Sequence, residues 1–122
     1  MKERRRFIRY HIDRGLIVLD DDDIIGMARV IDISDGGFGC VGLSPIPYST
    51  NWINGIDLYD PNTDISLQQI SGRMTRYVIN KNSTGSIAST ISYFVGFEVS
   101  PNSVTQIANF REILCGDQPA SS

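Results

Sequence analysis

The sequence predicts a small, all-β-dominated domain: a closed antiparallel β-barrel with one C-terminal α-helix and a flexible N-terminal arm. Three observations predict it. A chain of 122 residues, 41% of them hydrophobic, has material for one core and little room for a second domain. Between Leu16 and Val99, five to seven short apolar segments are separated by turn signals at fairly even spacing. Beyond Ser103 the apolar period lengthens to that of a helix, through Ile107, Phe110 and Leu114.

Taken in order, residues 1–15 form a basic arm that belongs to the domain, residues 16–115 its body, and residues 116–122 a frayed tail. Leu16-Ile17-Val18-Leu19 is a short strand, ended by the acidic run Asp20 to Asp23, which belongs in a solvated turn. Ile24 to Ser34 has strand character through Val30, Ile31 and Ile33. Asp35-Gly36-Gly37 breaks it, and Phe38 to Leu43 resumes an extended pattern. Ser44-Pro45-Ile46-Pro47 is a loop, after which Trp52, Ile56 and Leu58 are expected on one face of a strand that turns at Asp60-Pro61-Asn62. Ile65 to Asn80 reads as one long strand, or as two joined by a bend at Gly72, and Lys81 to Gly85 as a polar turn. Ile91, Tyr93, Val95, Phe97 and Val99 alternate with smaller or polar residues, the mark of a half-buried strand. Ser103 is placed to cap the final helix, with Gln106 three residues on.

Composition excludes several function classes. No apolar run approaches the roughly 18 residues of a membrane span, and no apolar stretch with a cleavage site follows the basic N-terminus. The expected compartment is therefore the cytoplasm. Cys40 and Cys115 lie far apart, make no metal spacing and are expected to be free thiols. A net charge of −3 argues against generic DNA or RNA binding. Its distribution is uneven, because Lys2, Arg4, Arg5, Arg6, Arg9 and Arg14 all fall within the arm. A compact cationic arm on an acidic body suits a small anionic ligand.

No catalytic constellation is present in the sequence. His11, the only histidine, has no cysteine or acidic partner at catalytic or metal spacing and reads as a surface residue. There is no phosphate loop and no dinucleotide fingerprint. The acidic run lacks the alternating ligands and glycine of a calcium loop, so no metal or cofactor is expected.

Two segments carry recognition chemistry. In Arg4-Arg5-Arg6-Phe7-Ile8-Arg9, flat guanidinium groups can stack on a purine and offer paired donors to phosphate or to guanine O6 and N7. Read alone, the segment serves equally well as a basic tail that keeps the protein soluble or touches membrane lipids. In Asp32-Ile33-Ser34-Asp35-Gly36-Gly37, strand alternation would put Asp32 and Ser34 on one face. There a carboxylate can accept from guanine N1 and N2 hydrogens, and a hydroxyl can donate to an oxygen. Gly36 and Gly37 permit positive φ and close approach of backbone N–H groups to a ligand. Read alone, this segment is a hairpin turn with a capping aspartate.

Together, Arg5-x-x-x-Arg9 and, about two dozen residues later, Asp32-x-Ser34-x-x-Gly37 resemble the paired signature of the PilZ family. Glu3-Arg4-Arg5-Arg6-Phe7 and Gly37-Phe38-Gly39 are similar to the family's flanking segments, and Tyr93-Phe94-Val95-Gly96-Phe97 to its late core strand. The likeness runs from Arg4 to about Leu114. It implies a six-stranded barrel with a C-terminal helix, and an arm that wraps over bound cyclic di-GMP, a bacterial second messenger. The implied ligand-binding residues are Arg4, Arg5, Arg9, Asp32, Ser34, Gly36 and Gly37. An arginine where Arg4 stands is associated in that family with a stacked, intercalated pair of ligand molecules, which implies up to two per chain. The implied role is a non-enzymatic receptor or adaptor whose ligand-driven rearrangement regulates a separate effector protein of motility, secretion or polysaccharide synthesis. The alternative is a PilZ-fold protein-interaction module that binds no nucleotide.

Overall fold

Alternating apolar side chains curl the chain around a single core, and the computed structural model describes residues 8–12, 15–21, 24–42, 44–84 and 88–115, with backbone alone for 82–84 and 88–90. Arg4, Arg5, the tail 116–122 and half of the acidic run, Asp22 and Asp23, lie outside the described residues.

Seven strands are present among the described residues: β1 (Tyr10–His11), β2 (Ile17–Asp20), β3 (Ala28–Ile33), β4 (Gly37–Gly42), β5 (Ile53–Asp60), β6 (Ile65–Thr84) and β7 (Ala88–Val99). The order β3-β2-β5-β6-β7-β4 closes through β4 pairing with β3, so six antiparallel strands make the barrel. Closure removes the unpaired edges that an open sheet would expose. β1 is extra and lies on β3 beyond the end of β2, with Tyr10 opposite Ile33 and His11 opposite Asp32. A 3₁₀ turn (Pro101–Ser103) leads into α1 (Val104–Cys115), whose Ile107 and Phe110 are buried. Inward residues such as Val18, Val30, Ile56, Leu58, Ile70 and Val95 fill the barrel. No helix among the described residues is long and apolar enough to cross a membrane.

Four sequence expectations need correction. The acidic run is not simply a solvated turn, because the Asp20 carboxylate accepts the backbone N–H groups of Ile24 (2.7 Å), Ile25 (3.0 Å) and Gly26 (3.1 Å). It organises the β2–β3 connection. Lys81 to Thr84 is strand rather than turn, in register with Ala88 to Ile91. This end of the hairpin extends past the last pairings of β5, at Gly72, and of β4, at Tyr93. Trp52 does not share the face of Ile56 and Leu58. It precedes β5 and remains 40% exposed, and Ile53 takes the inward position. A bulge in β5 at Gly55 (φ +72°) explains the change of face, and a side chain there would overlap the Asp21 carboxylate. Finally, the Ser103 hydroxyl accepts the Ser71 backbone N–H (3.4 Å) and the Ser100 hydroxyl (3.3 Å) instead of working as a simple helix cap. That ties the start of α1 to β6.

Asp60 is fully buried at the β5–β6 turn, where it accepts the Asn62 N–H (3.1 Å) and the Thr63 hydroxyl (2.8 Å). Asp60→Ala is expected to lower stability by about 1 kcal/mol through loss of these turn bonds. Urea denaturation checks this, with a lowered midpoint and an unchanged slope as the expected result.

Candidate functional site

Pairing constraints aim Asp32 outward. The β3–β4 register slips between Val30 and Asp32, a bulge that leaves Ile31 as the extra residue. Val30 and Ile33 therefore both point into the core, while Asp32 is half-buried on the outer surface opposite Gly39. Gly39 makes room for it: a Cβ there would stand 2.9 Å from Asp32 Oδ1. Arg9, immediately before β1, brings its Nη1 to 3.9 Å from Asp32 Oδ2, with side-chain exposures of 41% and 24%. This is a loose ion pair that leaves both groups within reach of solvent.

Ser34 falls just past the end of β3, so strand alternation does not place it beside Asp32. Its backbone N–H donates to the Gly37 carbonyl (2.9 Å), its hydroxyl accepts the Gly36 N–H (3.2 Å) and reaches the Gly37 carbonyl (3.4 Å). Gly36 and Gly37 do not use positive φ, which among the described glycines occurs at Gly26 and Gly55. Gly37 is required for another reason. A Cβ on it would overlap the Phe97 carbonyl oxygen on β7, so the absence of a side chain lets two strands approach closely.

These groups border a groove of about 590 Å³ on the outside of the barrel, lined on one side by Arg9, Asp32, Ser34, Gly36, Gly37 and Gly39. Its other side is made by Trp52, Arg73, Arg76 and Glu98, which sequence reasoning did not single out. A smaller hollow of about 320 Å³ shares Arg9, Asp32 and Arg76 and continues towards Val78, Asn80 and Phe94. Described members of the two signature segments thus share one concave surface, of a size usual for small-molecule sites. Arg4 and Arg5 fall outside the described residues.

Cys40 lies beneath Asp32 and is fully buried. Burial, and then the Asp32 charge, push its thiol up to about 12, which keeps it neutral at ordinary pH. Among the described residues no cluster of His, Cys, Asp and Glu could hold a metal ion. Arg111 of α1 also escaped sequence reasoning. Its Nε donates to Asp35 Oδ1 (2.8 Å), and its guanidinium lies 4.7 Å from the Tyr10 ring centroid.

No protein-family model and no curated protein matches the sequence. Solved structures do. The chain is similar to the PilZ domain with c-di-GMP of YcgR from Escherichia coli, with a TM-score of 0.67 at 16% identity over 92% of each chain. It is similar to K. pneumonia MrkH in its apo state, with a TM-score of 0.69 at 14% identity over 93% of this chain and 52% of that one. The MrkH–c-di-GMP complex gives a TM-score of 0.65 at 15% identity, over 93% of this chain and 54% of that one. The chain spans about half the length of MrkH, which is described as a c-di-GMP-dependent transcription regulatory factor. At these identities the likeness is one of architecture, and the architecture of this chain is PilZ-like.

Proposed function

We propose that the chain is a cyclic di-GMP receptor and catalyses no reaction, and that ligand binding changes its conformation and thereby regulates a separate effector protein. The observation that carries this reading is the opposition of Arg9 and Asp32 at 3.9 Å on the rim of a groove floored by glycine backbone. Structural neighbours described with c-di-GMP support it. Asp32 has lone pairs for guanine N1 and N2 hydrogens, and Ser34 a hydroxyl for base or phosphate oxygens. Arg9 and, from the arm, Arg5 supply paired donors to phosphate and to the Hoogsteen edge. Gly36 and Gly37 let a ligand approach the backbone. Arg4 adds a further guanidinium, which suits a stacked pair of ligand molecules with their four negative charges.

Without ligand, Arg9 and Asp32 partly neutralise one another, and binding would exchange that loose pair for contacts with phosphate and guanine. Ordering of the basic arm over the ligand would then alter an exposed surface for the effector to read. A net charge of −3 disfavours DNA or RNA as a further partner.

Calorimetric titration with cyclic di-GMP tests the proposal and gives the stoichiometry. No heat at ligand concentrations of tens of micromolar sinks it and leaves the protein-interaction module. A variant at an unassigned position extends the test. Gly39→Ala puts a methyl group against the Asp32 carboxylate, a flexible side chain that can turn aside with little cost to the fold. Binding is expected to weaken by about 1 kcal/mol, with the melting temperature nearly unchanged.

A further inference from the structure

The side of the groove facing Asp32 has an organisation of its own. On a regular strand, residues three apart point to opposite faces, yet Arg73 and Arg76 of β6 both line this groove. A bulge at Thr75, between Met74 paired with Phe97 and Arg76 paired with Gly96, brings them to the same side. Arg73 sits directly opposite Glu98 in the β6–β7 register and is ion-paired to it. Its guanidinium lies 4.8 Å from the ring centroid of Trp52. Ring and carboxylate together fix the plane of a side chain that is otherwise long and mobile, while leaving it 45% exposed. Arg76 makes no ion pair with any described residue.

Each of these features suits a purine nucleotide. A planar cation already held over an indole and paired to a carboxylate can offer a platform to an aromatic base, with much of its rotamer freedom spent before the ligand arrives. Arg76 stands across Gly96 and Gly39 from Asp32 in the strand register and is free to meet a phosphate. We infer that Trp52, Arg73 and Arg76 form a second purine subsite of the groove, which stacks a guanine of cyclic di-GMP other than the one held at Asp32. The inference rests on the receptor reading above and extends it to a wall outside the paired signature.

Trp52 is the only tryptophan in the chain, so its emission reports on this wall directly. Cyclic di-GMP is titrated into the full chain while heat and selectively excited tryptophan emission are followed together. The expected result is a saturable change in emission that tracks the heat. Trp52→Leu should weaken binding on the order of tenfold, the usual worth of one base stack, and Trp52→Phe, which keeps a ring, should restore most of the loss. Arg73→Gln should weaken binding comparably, and it guards against a leucine variant that folds poorly. Heat with unchanged emission, or Trp52→Leu and Arg73→Gln both within twofold of the parent affinity, overturns the subsite and leaves the receptor reading standing. Absence of heat and of any emission change overturns both.

Discussion

Asp32→Ala is expected to weaken cyclic di-GMP binding by about 2 kcal/mol, roughly thirtyfold, with little change in melting temperature. The asymmetry follows from what Asp32 does in the folded chain. Its ion pair with Arg9 spans 3.9 Å between partly exposed groups, a geometry worth at most about 1 kcal/mol. The fold therefore loses little when the carboxylate goes. A guanine facing that carboxylate would lose two charge-assisted hydrogen bonds. Arg9→Ala should be similarly costly for binding and similarly cheap for stability. The double variant should lose somewhat more than the sum of the two, because each single variant also spares its partner the loose ion pair that the parent breaks on binding, a relief the double variant can count only once. Calorimetry and thermal melting on the same preparations check all three variants. A destabilised Asp32→Ala protein with unaltered affinity would make Asp32 a structural residue.

Why some of this was legible in the sequence, and some not, has a physical basis. Strands whose inner face is buried announce themselves by alternation, as Val95, Phe97 and Val99 do on β7. The helix announced itself through Ile107 and Phe110. Legibility fails where the period is broken. The bulges at Ile31, Gly55 and Thr75 each shift a side chain to the other face without leaving a mark in composition. Regular alternation therefore puts Trp52 on the wrong face and gives no sign that Arg73 and Arg76 share one. Hairpin length failed for a different reason. Outside the barrel, the β6–β7 ribbon has no core to dictate apolar alternation, so its polar end looked like a turn. Asp32 and Ser34 stand out in the sequence by their chemistry rather than by their periodicity. Gly39 had no such signal, since its role is defined by a side chain on another strand.

Arg111 shows the same limit across a greater distance, and its replacement carries the largest expected effect on stability. It lies seventy-six residues from Asp35 in sequence, yet its Nε donates to that carboxylate at 2.8 Å. Its guanidinium stands over Tyr10, the residue after Arg9, at 4.7 Å. One side chain on α1 thus touches the loop between Ser34 and Gly36 and the short strand within the basic arm. Its side chain is 12% exposed, against 41% for Arg9, while the Asp35 carboxylate it meets is 39% exposed. Arg111→Leu keeps much of the apolar stem but removes both polar contacts, and about 2 kcal/mol of stability should go with them. Arg111→Lys keeps the charge without the flat fork, so it should recover only part of that loss. Measured well below the melting point, cyclic di-GMP affinity should also fall severalfold, because Arg9 and the Asp35 loop are no longer held in their mutual positions. Amide exchange along α1 should speed up in the same variant. If Arg111→Leu melts lower but binds as the parent does, the residue supports the helix alone. If affinity falls and α1 exchange rises together, occupancy of the groove and the seating of the helix are linked through this side chain. Ligand should then slow α1 exchange in the parent chain, by the reciprocity that any such coupling obeys.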